Sequence, residues 1–303
     1  MSKIAWIGLG HMGIPMSRNM AQAGHTVRGY DISTTACEAA QSNGVEIAES
    51  VADAVRDADA VFTMLQSARV VEQVVTGPDG AFANMPKGTV VIDCSTIGID
   101  PARSLAEEAK TLGVGFVDAP VSGGVEGAED ASLTLMLGGD IDHVAAAEPL
   151  LKSIGTYIKH VGPSGDGQAM KVVNNAIMAV GMATACEVSV LAQRLGLDPQ
   201  VYFDVVTRSS GDSWVFRNWF PLPGVVETSR SSHGYAPGFM IDLIHKDLRL
   251  ATATAAEFDV RLDTAAAAAQ LFADASAAGA GRRDCTALAV TLGADVAKAT
   301  VSV

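Results

Sequence analysis

Cysteine and histidine are scarce in this chain, and neither is spaced as a disulfide or metal site would require. The 303 residues include four cysteines and six histidines. The cysteines show no CxxC spacing, and the histidines form no HxxxH cluster. Disulfide-stabilised domains and zinc sites both show such regular spacings. The sequence therefore supports neither a disulfide framework nor a zinc site, and we expect no metal.

Basic residues and long apolar runs are also few. The 21 lysines and arginines stand against 34 aspartates and glutamates, which gives a formal net charge of −13. Nucleic acid and anionic membrane surfaces repel a protein with this charge. The longest run without strong polarity, 176–186, is far shorter than the roughly 20 residues that cross a bilayer. We therefore expect a cytoplasmic protein that binds neither nucleic acid nor a membrane.

What the chain does contain is typical of a globular protein with two domains. Hydrophobic residues make up 49% of the 303 residues, and a chain of this length is long for a single core. Apolar runs and helical patterns alternate through the first half, which predicts a parallel, doubly wound α/β sheet with helices on both faces. We place this Rossmann domain at 1–164 and an all-helical domain, rich in alanine, at 165–303. The predicted strands are 3–7, 26–30, 60–65, 89–93, 114–118, 133–137 and 157–161.

A GxGxxG pattern follows the first predicted strand and opens the first predicted helix. In that context Gly8 makes a tight turn, Gly10 lets the pyrophosphate of a dinucleotide approach the backbone, and Gly13 allows close packing of helix and strand. The helix N-terminus then faces the phosphates. The alternative is an ordinary turn between strand and helix. The predicted cofactor loop consists of Gly8, Leu9, Gly10, His11, Met12 and Gly13.

Asp31, at the end of the second predicted strand, indicates which dinucleotide is bound. Its carboxylate can accept hydrogen bonds from the adenosine ribose, whereas it would repel a 2′-phosphate. The residues that follow, 32–34, contain no arginine that could bind that phosphate. NAD is therefore favoured over NADP. The alternative is that Asp31 is a helix cap or a turn residue.

Residues 162–175 read GPSGDGQAMKVVNN and carry the most informative side chains of the sequence. A glycine-rich loop ends there, and a largely apolar helix is predicted over about 167–195. A helix that is apolar on nearly all sides is normally buried, and a buried lysine is costly unless its charge is used. Lys171 and Asn175 lie one turn apart on one face of this helix. Because burial disfavours the charged form of an amine, Lys171 is a candidate general acid/base. The alternative is a structural lysine held in a salt bridge.

A second glycine cluster follows the strand predicted at 114–118. Ser122, Gly123 and Gly124 can present a hydroxyl group and closely spaced backbone N–H groups to a carboxylate. Taken alone, such a segment is more often a simple glycine-rich loop. Together with 162–175 it predicts a site for a small carboxylate substrate.

Three of these segments, GLGHMGIPMSRNMAQAGHTV, DAPVSGGVEGA and GPSGDGQAMKVVNN, resemble the β-hydroxyacid dehydrogenase family, and the resemblance covers essentially the whole chain. It continues through FPLPGVVETSRSSHGYAPGF and HKDLRLA, which look most like the branch of the family that acts on 3-hydroxyisobutyrate. The resemblance implies a Rossmann domain, a long interdomain helix, an all-helical C-terminal domain and a homodimer or homotetramer. Gln66 departs from the family, which usually has proline there.

The resemblance also implies a reaction and a role for each site residue. The reaction is the NAD-dependent oxidation of 3-hydroxyisobutyrate to methylmalonate semialdehyde, a step of valine degradation. Lys171 is implied to be catalytic, Asn175 to orient the substrate, and 122–124 to bind its carboxylate. The residues implied to contact the cofactor besides those above are Leu65, Gln66, Thr96 and Lys246.

Other functions remain open at this point. Tartronate semialdehyde reductases and other short-chain 3-hydroxyacid dehydrogenases, such as one for serine, share the glycine clusters and the lysine. A dinucleotide-sensing protein without catalysis is a more remote alternative, since fold alone does not give function. The aromatic segment 214–220 is either core or a cover for the substrate's methyl group.

Overall fold

Nine strands in the first half of the chain form a single sheet in the computed structural model, which describes residues 1–296. One compact unit spans Met1–Lys171, and a second begins at Val172. The strands are β1 (Lys3–Ile7), β2 (Thr26–Tyr30), β3 (Glu46–Ile47), β4 (Ala60–Thr63), β5 (Val90–Asp93), β6 (Gly115–Asp118), β7 (Val121–Ser122), β8 (Leu133–Gly138) and β9 (Gly155–Gly162).

Helices connect the strands of this unit. They are α1 (Gly13–Gln22), α2 (Thr34–Gln41), α3 (Val51–Val55), α4 (Ala68–Val75), α5 (Ala81–Asn84), α6 (Ile99–Thr111), α7 (Gly124–Glu129) and α8 (Ile141–Leu151). Serine side chains accept hydrogen bonds from the first backbone amides of α2, α3 and α4, and so satisfy amides that have no partner within the helix.

The strand order is β3-β2-β1-β4-β5-β6-β8-β7, with β9 paired to β8. The order reverses between β1 and β4, and in open α/β sheets ligands bind at such a switch point, beyond the carboxyl ends of the strands. The predicted fold class is confirmed. The sheet is parallel from β3 to β6, as predicted, whereas β8 is antiparallel to both β6 and β7. The strand β7 continues the path of β6 past Pro120, and both strands pair with β8 in the antiparallel direction. The sequence did not predict β7, because a strand of two residues is too short to recognise.

Apolar side chains alternate across the sheet and build a core on each face. Along β1, Ile4 and Trp6 belong to one buried cluster, whereas Ala5 and Ile7 belong to the other. Trp6 is the register partner of Phe62 on β4, and the two rings stack with their centroids 5.1 Å apart. A strand covered on both faces reads as a continuous apolar run, which is why β1 and β4 were readable in the sequence.

Within the described residues, the second unit is built from helices and contains a single isolated β-bridge, between Met240 and Asp284. Phe272, Ile244 and Leu248 lie fully buried in its main apolar cluster. The helix α9 begins in the first unit and continues into the second. The helices are α9 (Asp166–Arg194), α10 (Pro199–Val206), α11 (Trp214–Asn218), α12 (Ile241–Glu257), α13 (Asp263–Ala275) and α14 (Leu288–Thr291).

The expectation that α9 is buried on nearly all sides is wrong. Apolar side chains at helical spacing are exposed along one of its faces: Val173, Ile177, Val188 and Leu191. Among the described residues α9 is also the one helix long and apolar enough, by length and composition, to cross a membrane, with 44% of its most apolar window buried. Core helices of soluble proteins pass the same criterion, so the absence of membrane contact stays a prediction.

All four cysteines are free thiols. Cys94 lies in the core of the first unit, and Cys186 and Cys285 lie in the core of the second. Burial raises the pKa of all three thiols. Cys37, on α2, is partly exposed.

Candidate active site

The loop between β1 and α1 has the geometry that a dinucleotide requires. Gly8 adopts a φ of +99°, and a Cβ there would lie 2.3 Å from the carbonyl oxygen of Met64. A Cβ at Gly13 would lie 1.9 Å from the carbonyl oxygen of Gly8, so the helix starts in direct contact with the turn. A Cβ at Gly10 would meet nothing within 4 Å. The protein thus leaves no room for a side chain at Gly8 and Gly13, whereas the space at Gly10 is open. A pyrophosphate would approach the backbone at Gly10.

The other residues of this loop divide between core and surface. Leu9 is fully buried, Met12 packs against the core cluster, and His11 is exposed. Only the backbone of His11 is therefore fixed by the fold, because its side chain lies in solvent.

Asp31 lies just beyond β2, beside the glycine loop. Its Oδ2 accepts a hydrogen bond from the backbone N–H of Leu9 at 2.7 Å, and its Oδ1 accepts one from Ser33 at 2.8 Å. The helix cap of α2 is Ser33 rather than Asp31. These bonds hold the carboxylate at the mouth of the loop, where an adenosine ribose is expected.

The loops that follow β4 and β5 are tied together. The hydroxyl group of Ser95 accepts a hydrogen bond from the backbone N–H of Leu65 at 2.9 Å, and Thr96 follows Ser95. Gln66 is exposed at the tip of the β4 loop. Since the carboxyl ends of neighbouring parallel strands share one edge of a sheet, Leu65 and Thr96 lie at the same edge as the glycine loop.

Lys171 lies in the second turn of α9 and is 9% exposed. Its Nζ donates a hydrogen bond to the carbonyl oxygen of Val121 at 2.6 Å. Val121 directly precedes Ser122, so the amine lies at the start of the predicted carboxylate-binding segment. Gly123 and Gly124 there have φ values of +141° and +70°, conformations that other residues rarely adopt.

Two residues that the sequence did not reveal fix the start of α9. Asp118, at the end of β6, is fully buried, and its two carboxylate oxygens accept hydrogen bonds from the backbone N–H groups of Gly165 and Gln168. Burial raises the pKa of Asp118 from its ordinary value of 3.8 to about 6, against the opposing effect of these hydrogen bonds. Gln168 is itself fully buried. The sequence shows Gln168 as a polar residue at the start of an apolar helix. It cannot show the hydrogen-bond partners of Gln168, because the fold brings them from distant positions in the chain.

A third missed residue, Asp247, belongs to the second unit. It is 5% exposed, and its Oδ2 accepts a hydrogen bond from the side-chain amide of Asn175 at 2.6 Å. Lys246 Nζ lies 3.3 Å from Asp247 Oδ1. Asn175 and Lys246, both predicted from the sequence, are thus joined through Asp247. The signal that could have identified Asp247 is its position next to Lys246 in the KDL motif.

The aromatic segment 214–220 divides into two environments. Phe216 and Phe220 are buried and pack edge-on at 5.1 Å, which makes them core. Trp214 is 50% exposed, with its ring 5.1 Å from that of Trp219. Trp214 is therefore an exposed aromatic side chain of this segment, and its role as a cover for the substrate stays a prediction.

Across residues 1–296, no three histidine, cysteine, aspartate or glutamate side chains are grouped as a metal site would need. The polar groups of the candidate site are instead an amine, amides, carboxylates and backbone N–H groups. Such groups bind and orient an organic acid and transfer protons.

Both halves of the chain match known families. Residues 3–162 match the NAD-binding domain of 6-phosphogluconate dehydrogenase, and residues 165–292 match the family described as NAD-binding of NADP-dependent 3-hydroxyisobutyrate dehydrogenase.

Individual relatives carry different substrate names at similar identity. The NAD-dependent L-serine dehydrogenase of Pseudomonas aeruginosa is 41% identical over 251 residues, covering 83% of this chain and 84% of the relative. The 3-hydroxyisobutyrate dehydrogenase of the same species is 39% identical over 272 residues, covering 90% and 91%. The solved 3-hydroxyisobutyrate dehydrogenase of Mycobacterium tuberculosis with L-serine is 40% identical, with a TM-score of 0.86 over 97% of this chain and 100% of that one.

Proposed function

The chain belongs to the β-hydroxyacid dehydrogenase family, and we propose that it oxidises 3-hydroxyisobutyrate to methylmalonate semialdehyde with NAD. Membership of the family makes it a 3-hydroxyacid dehydrogenase with a nicotinamide dinucleotide cofactor. The choice of substrate, the preference for NAD and the roles of individual residues belong to the proposal.

Oxidation of a 3-hydroxy acid needs a hydride acceptor, a group that takes the hydroxyl proton and an anchor for the carboxylate. A bound nicotinamide supplies the first. The residues that would hold the cofactor are those of the glycine loop with Asp31, and the open space at Gly10 fits this role. The protein's own task is then to anchor the acid and move the proton.

The observation that carries the proposal is the position of Lys171. Its amine is buried and bonded to Val121, directly before Ser122 and Gly123. A carboxylate bound by 122–124 would therefore place the rest of a short acid beside this amine. Burial disfavours the charged ammonium, so the amine can accept the hydroxyl proton as hydride leaves the carbon. In the reverse direction its ammonium donates that proton to the aldehyde oxygen.

Asn175 lies one helical turn beyond Lys171 and does not titrate. Its amide nitrogen donates to Asp247 at 2.6 Å, and its side-chain oxygen accepts a hydrogen bond from the side-chain amide of Asn174 at 3.1 Å, so both ends of the amide are held. We assign Asn175 to orienting the substrate.

The preference for NAD rests on Asp31. Two backbone N–H groups hold its carboxylate beside the glycine loop. A 2′-phosphate there would meet a like charge, which at about 4 Å costs about 1 kcal/mol in water and about 4 kcal/mol at intermediate dielectric. The family that matches the second half is described as NADP-dependent, so this preference needs a direct test.

A second candidate substrate is L-serine. One relative at 41% identity is named a serine dehydrogenase, and the solved relative contains L-serine. Serine and 3-hydroxyisobutyrate share the same hydroxymethyl group and carboxylate, and they differ in an ammonium or a methyl group on the carbon between. A site that binds only the shared groups cannot separate the two acids, so the discrimination between them depends on the residues that contact the methyl or ammonium group.

Steady-state kinetics of the purified full-length protein test the proposal. The panel is both enantiomers of 3-hydroxyisobutyrate, L-serine, glycerate and 3-hydroxypropionate, each with NAD and with NADP, and kcat/KM is compared. We expect one enantiomer of 3-hydroxyisobutyrate with NAD to give the highest value. A higher value for L-serine would replace the substrate, a higher value with NADP would replace the cofactor, and no turnover at all would refute the activity.

A further inference from the structure

The side chain of Gln168 holds the backbone on both sides of Thr96. Its Oε1 accepts hydrogen bonds from the N–H groups of Ile97 at 3.0 Å and Gly98 at 3.2 Å. Its Nε2 donates to the carbonyl oxygen of Ser95 at 2.8 Å. One fully buried amide therefore fixes the whole turn between β5 and α6 in which Thr96 lies.

The hydrogen-bonded network of Gln168 extends to the neighbouring loop after β4. The Ser95 hydroxyl group accepts the backbone N–H of Leu65, and the Ser95 N–H donates to Asp93 Oδ1 at 3.1 Å. Thr63 donates to the same carboxylate oxygen at 2.7 Å. Leu65 and Thr96, which the resemblance to the family implies as nicotinamide contacts, are thus held in one buried hydrogen-bonded network that ends at Gln168.

The other end of Gln168 is equally fixed. Its backbone N–H donates to Asp118 Oδ2 at 2.9 Å. A Cβ at the adjacent Gly167 would lie 2.5 Å from the carbonyl oxygen of Met136. The first turn of α9 is therefore pressed against the sheet. Lys171 follows Gln168 by three residues, so the two side chains leave neighbouring positions on one face of the helix.

We propose that Gln168 is a positioning residue that sets the distance between the nicotinamide-side loop at 95–98 and the amine of Lys171. This inference rests on the proposed function, because it assigns the two ends of the network to the two reacting partners. Its side-chain amide is bonded to the backbone of Ser95, Ile97 and Gly98, so Gln168 would act through Thr96 on one side and Lys171 on the other.

The alternative is that Gln168 only caps α6. That helix begins after Gly98, which offers no side-chain cap, and Gln168 supplies one from another element. A cap alone affects stability and leaves kcat unchanged in the folded protein. A positioning residue affects kcat, because a displacement of about 1 Å between reacting groups can cost about 100-fold in rate.

The test compares Gln168→Leu with a matched control on the same helix, Gln193→Leu. Gln193 makes the same kind of two-way contact, donating to the carbonyl oxygen of Asp295 and accepting its N–H, both at 3.0 Å. Both variants remove a side-chain amide of α9 that bonds to the backbone of another segment, fully buried at Gln168 and partly buried at Gln193. We measure kcat and KM on the best substrate of the panel, the dissociation constant of NADH and the unfolding midpoint.

We expect Gln168→Leu to lose at least about tenfold in kcat while NADH binding changes by no more than about threefold, and Gln193→Leu to keep its kcat. Equal kcat for Gln168→Leu and wild type, or an equal loss in both variants, would overturn the proposal. Should Gln168→Leu not fold, Gln168→Glu keeps the accepting oxygens and removes the donor to Ser95. A wild-type kcat in Gln168→Glu would then overturn it.

Hydrogen exchange separates failure of this inference from failure of the proposed function. If wild type turns over no acid of the panel, the proposed function fails. The backbone amide of Thr96 still reports on the loop in the full-length protein with NADH. Faster exchange there in Gln168→Leu than in wild type supports the positioning of the loop, and equal rates refute it.

Discussion

Lys171 combines two properties that rarely coincide on a lysine. Its side chain is 9% exposed, and its Nζ has a backbone carbonyl oxygen as partner, that of Val121. This contact holds the amine at the start of the segment 122–124, where the proposed function needs a group that exchanges a proton with the substrate.

Replacement of Lys171 by alanine should abolish turnover, with a loss in kcat of about 100-fold to 10,000-fold. The dissociation constant for NADH should stay within a few-fold of wild type, because the glycine loop and Asp31 are untouched. Stopped-flow absorbance and NADH fluorescence titration measure the two quantities. A variant that kept more than a tenth of the wild-type kcat would remove Lys171 from the mechanism.

Asp118 should make stability depend on pH in the direction opposite to a salt-bridged acid. Burial raises its pKa from 3.8 to about 6 in the folded chain. Between these values the unfolded state loses its proton first, so the free energy of unfolding falls as pH rises from about 4 to about 6. The fall due to Asp118 alone is about 3 kcal/mol.

Denaturant unfolding of wild type and Asp118→Asn at several pH values measures this contribution. The asparagine does not titrate, so the other groups cancel in the difference between the two proteins. We expect the advantage of wild type over the variant to shrink as pH rises through this window. A constant difference would show that Asp118 keeps its ordinary pKa.

The sequence identified residues that are chemically out of place and missed residues defined by their partners. Lys171 and Asn175 were identified because they are polar residues in an apolar helix. Asp118 and Asp247 were missed because their roles depend on backbone amides or an asparagine brought to them from distant positions in the chain. Spacing along the sequence carries no signal for such pairs.

At the scale of elements, the first glycine loop separates a structural from a binding requirement. A Cβ at Gly13 would collide with the carbonyl oxygen of Gly8, whereas one at Gly10 would meet no protein atom. The fold therefore needs glycine at position 13, and we propose that the cofactor needs glycine at position 10.

The pair Gly13→Ala and Gly10→Ala should show this difference. Gly13→Ala is expected to lower the free energy of unfolding by at least about 2 kcal/mol, because backbone must move to admit the methyl group. Gly10→Ala should change stability by less than about 0.5 kcal/mol and weaken NADH binding by about tenfold. Chemical denaturation and fluorescence titration measure both, and equal destabilisation by the two variants would contradict the assignment.

Strands and helices were predictable where hydrophobic periodicity is strong. The predicted strand at 26–30 matches β2, and the helix predicted at about 167–195 matches α9 (Asp166–Arg194). The predicted strand at 60–65 ends earlier, at Thr63, where the chain leaves the sheet to form the loop with Leu65. Strands of two residues, β3 and β7, have too few positions to show a period.

At the scale of the whole molecule, the exposed apolar face of α9 bears on assembly. Ile177 is 73% exposed and Val173 57%, and Val188 and Leu191 are exposed on the same face. Exposed apolar surface of this extent often marks a protein interface. We propose that a second copy of the chain covers this face in a homodimer or homotetramer.

Light scattering on Ile177→Lys tests the assembly. A lysine in an apolar interface would be buried without a partner, so the molar mass in solution should fall below that of wild type at the same concentration. Tyr157→Lys, a change at another exposed apolar side chain, on β9, is the control and should keep the wild-type mass. A monomeric wild type would refute the proposal.

The distribution of the cysteines has a practical consequence. Cys94 belongs to the first unit and Cys186 and Cys285 to the second, while Cys37 alone is partly exposed. A maleimide pulse on the native chain should therefore modify Cys37 and spare the rest. When the wild-type protein is heated gradually, peptide mapping of the alkylated cysteines would show whether Cys94 or the pair Cys186 and Cys285 becomes reactive first. This order tells which unit unfolds first, and no engineered cysteine is needed.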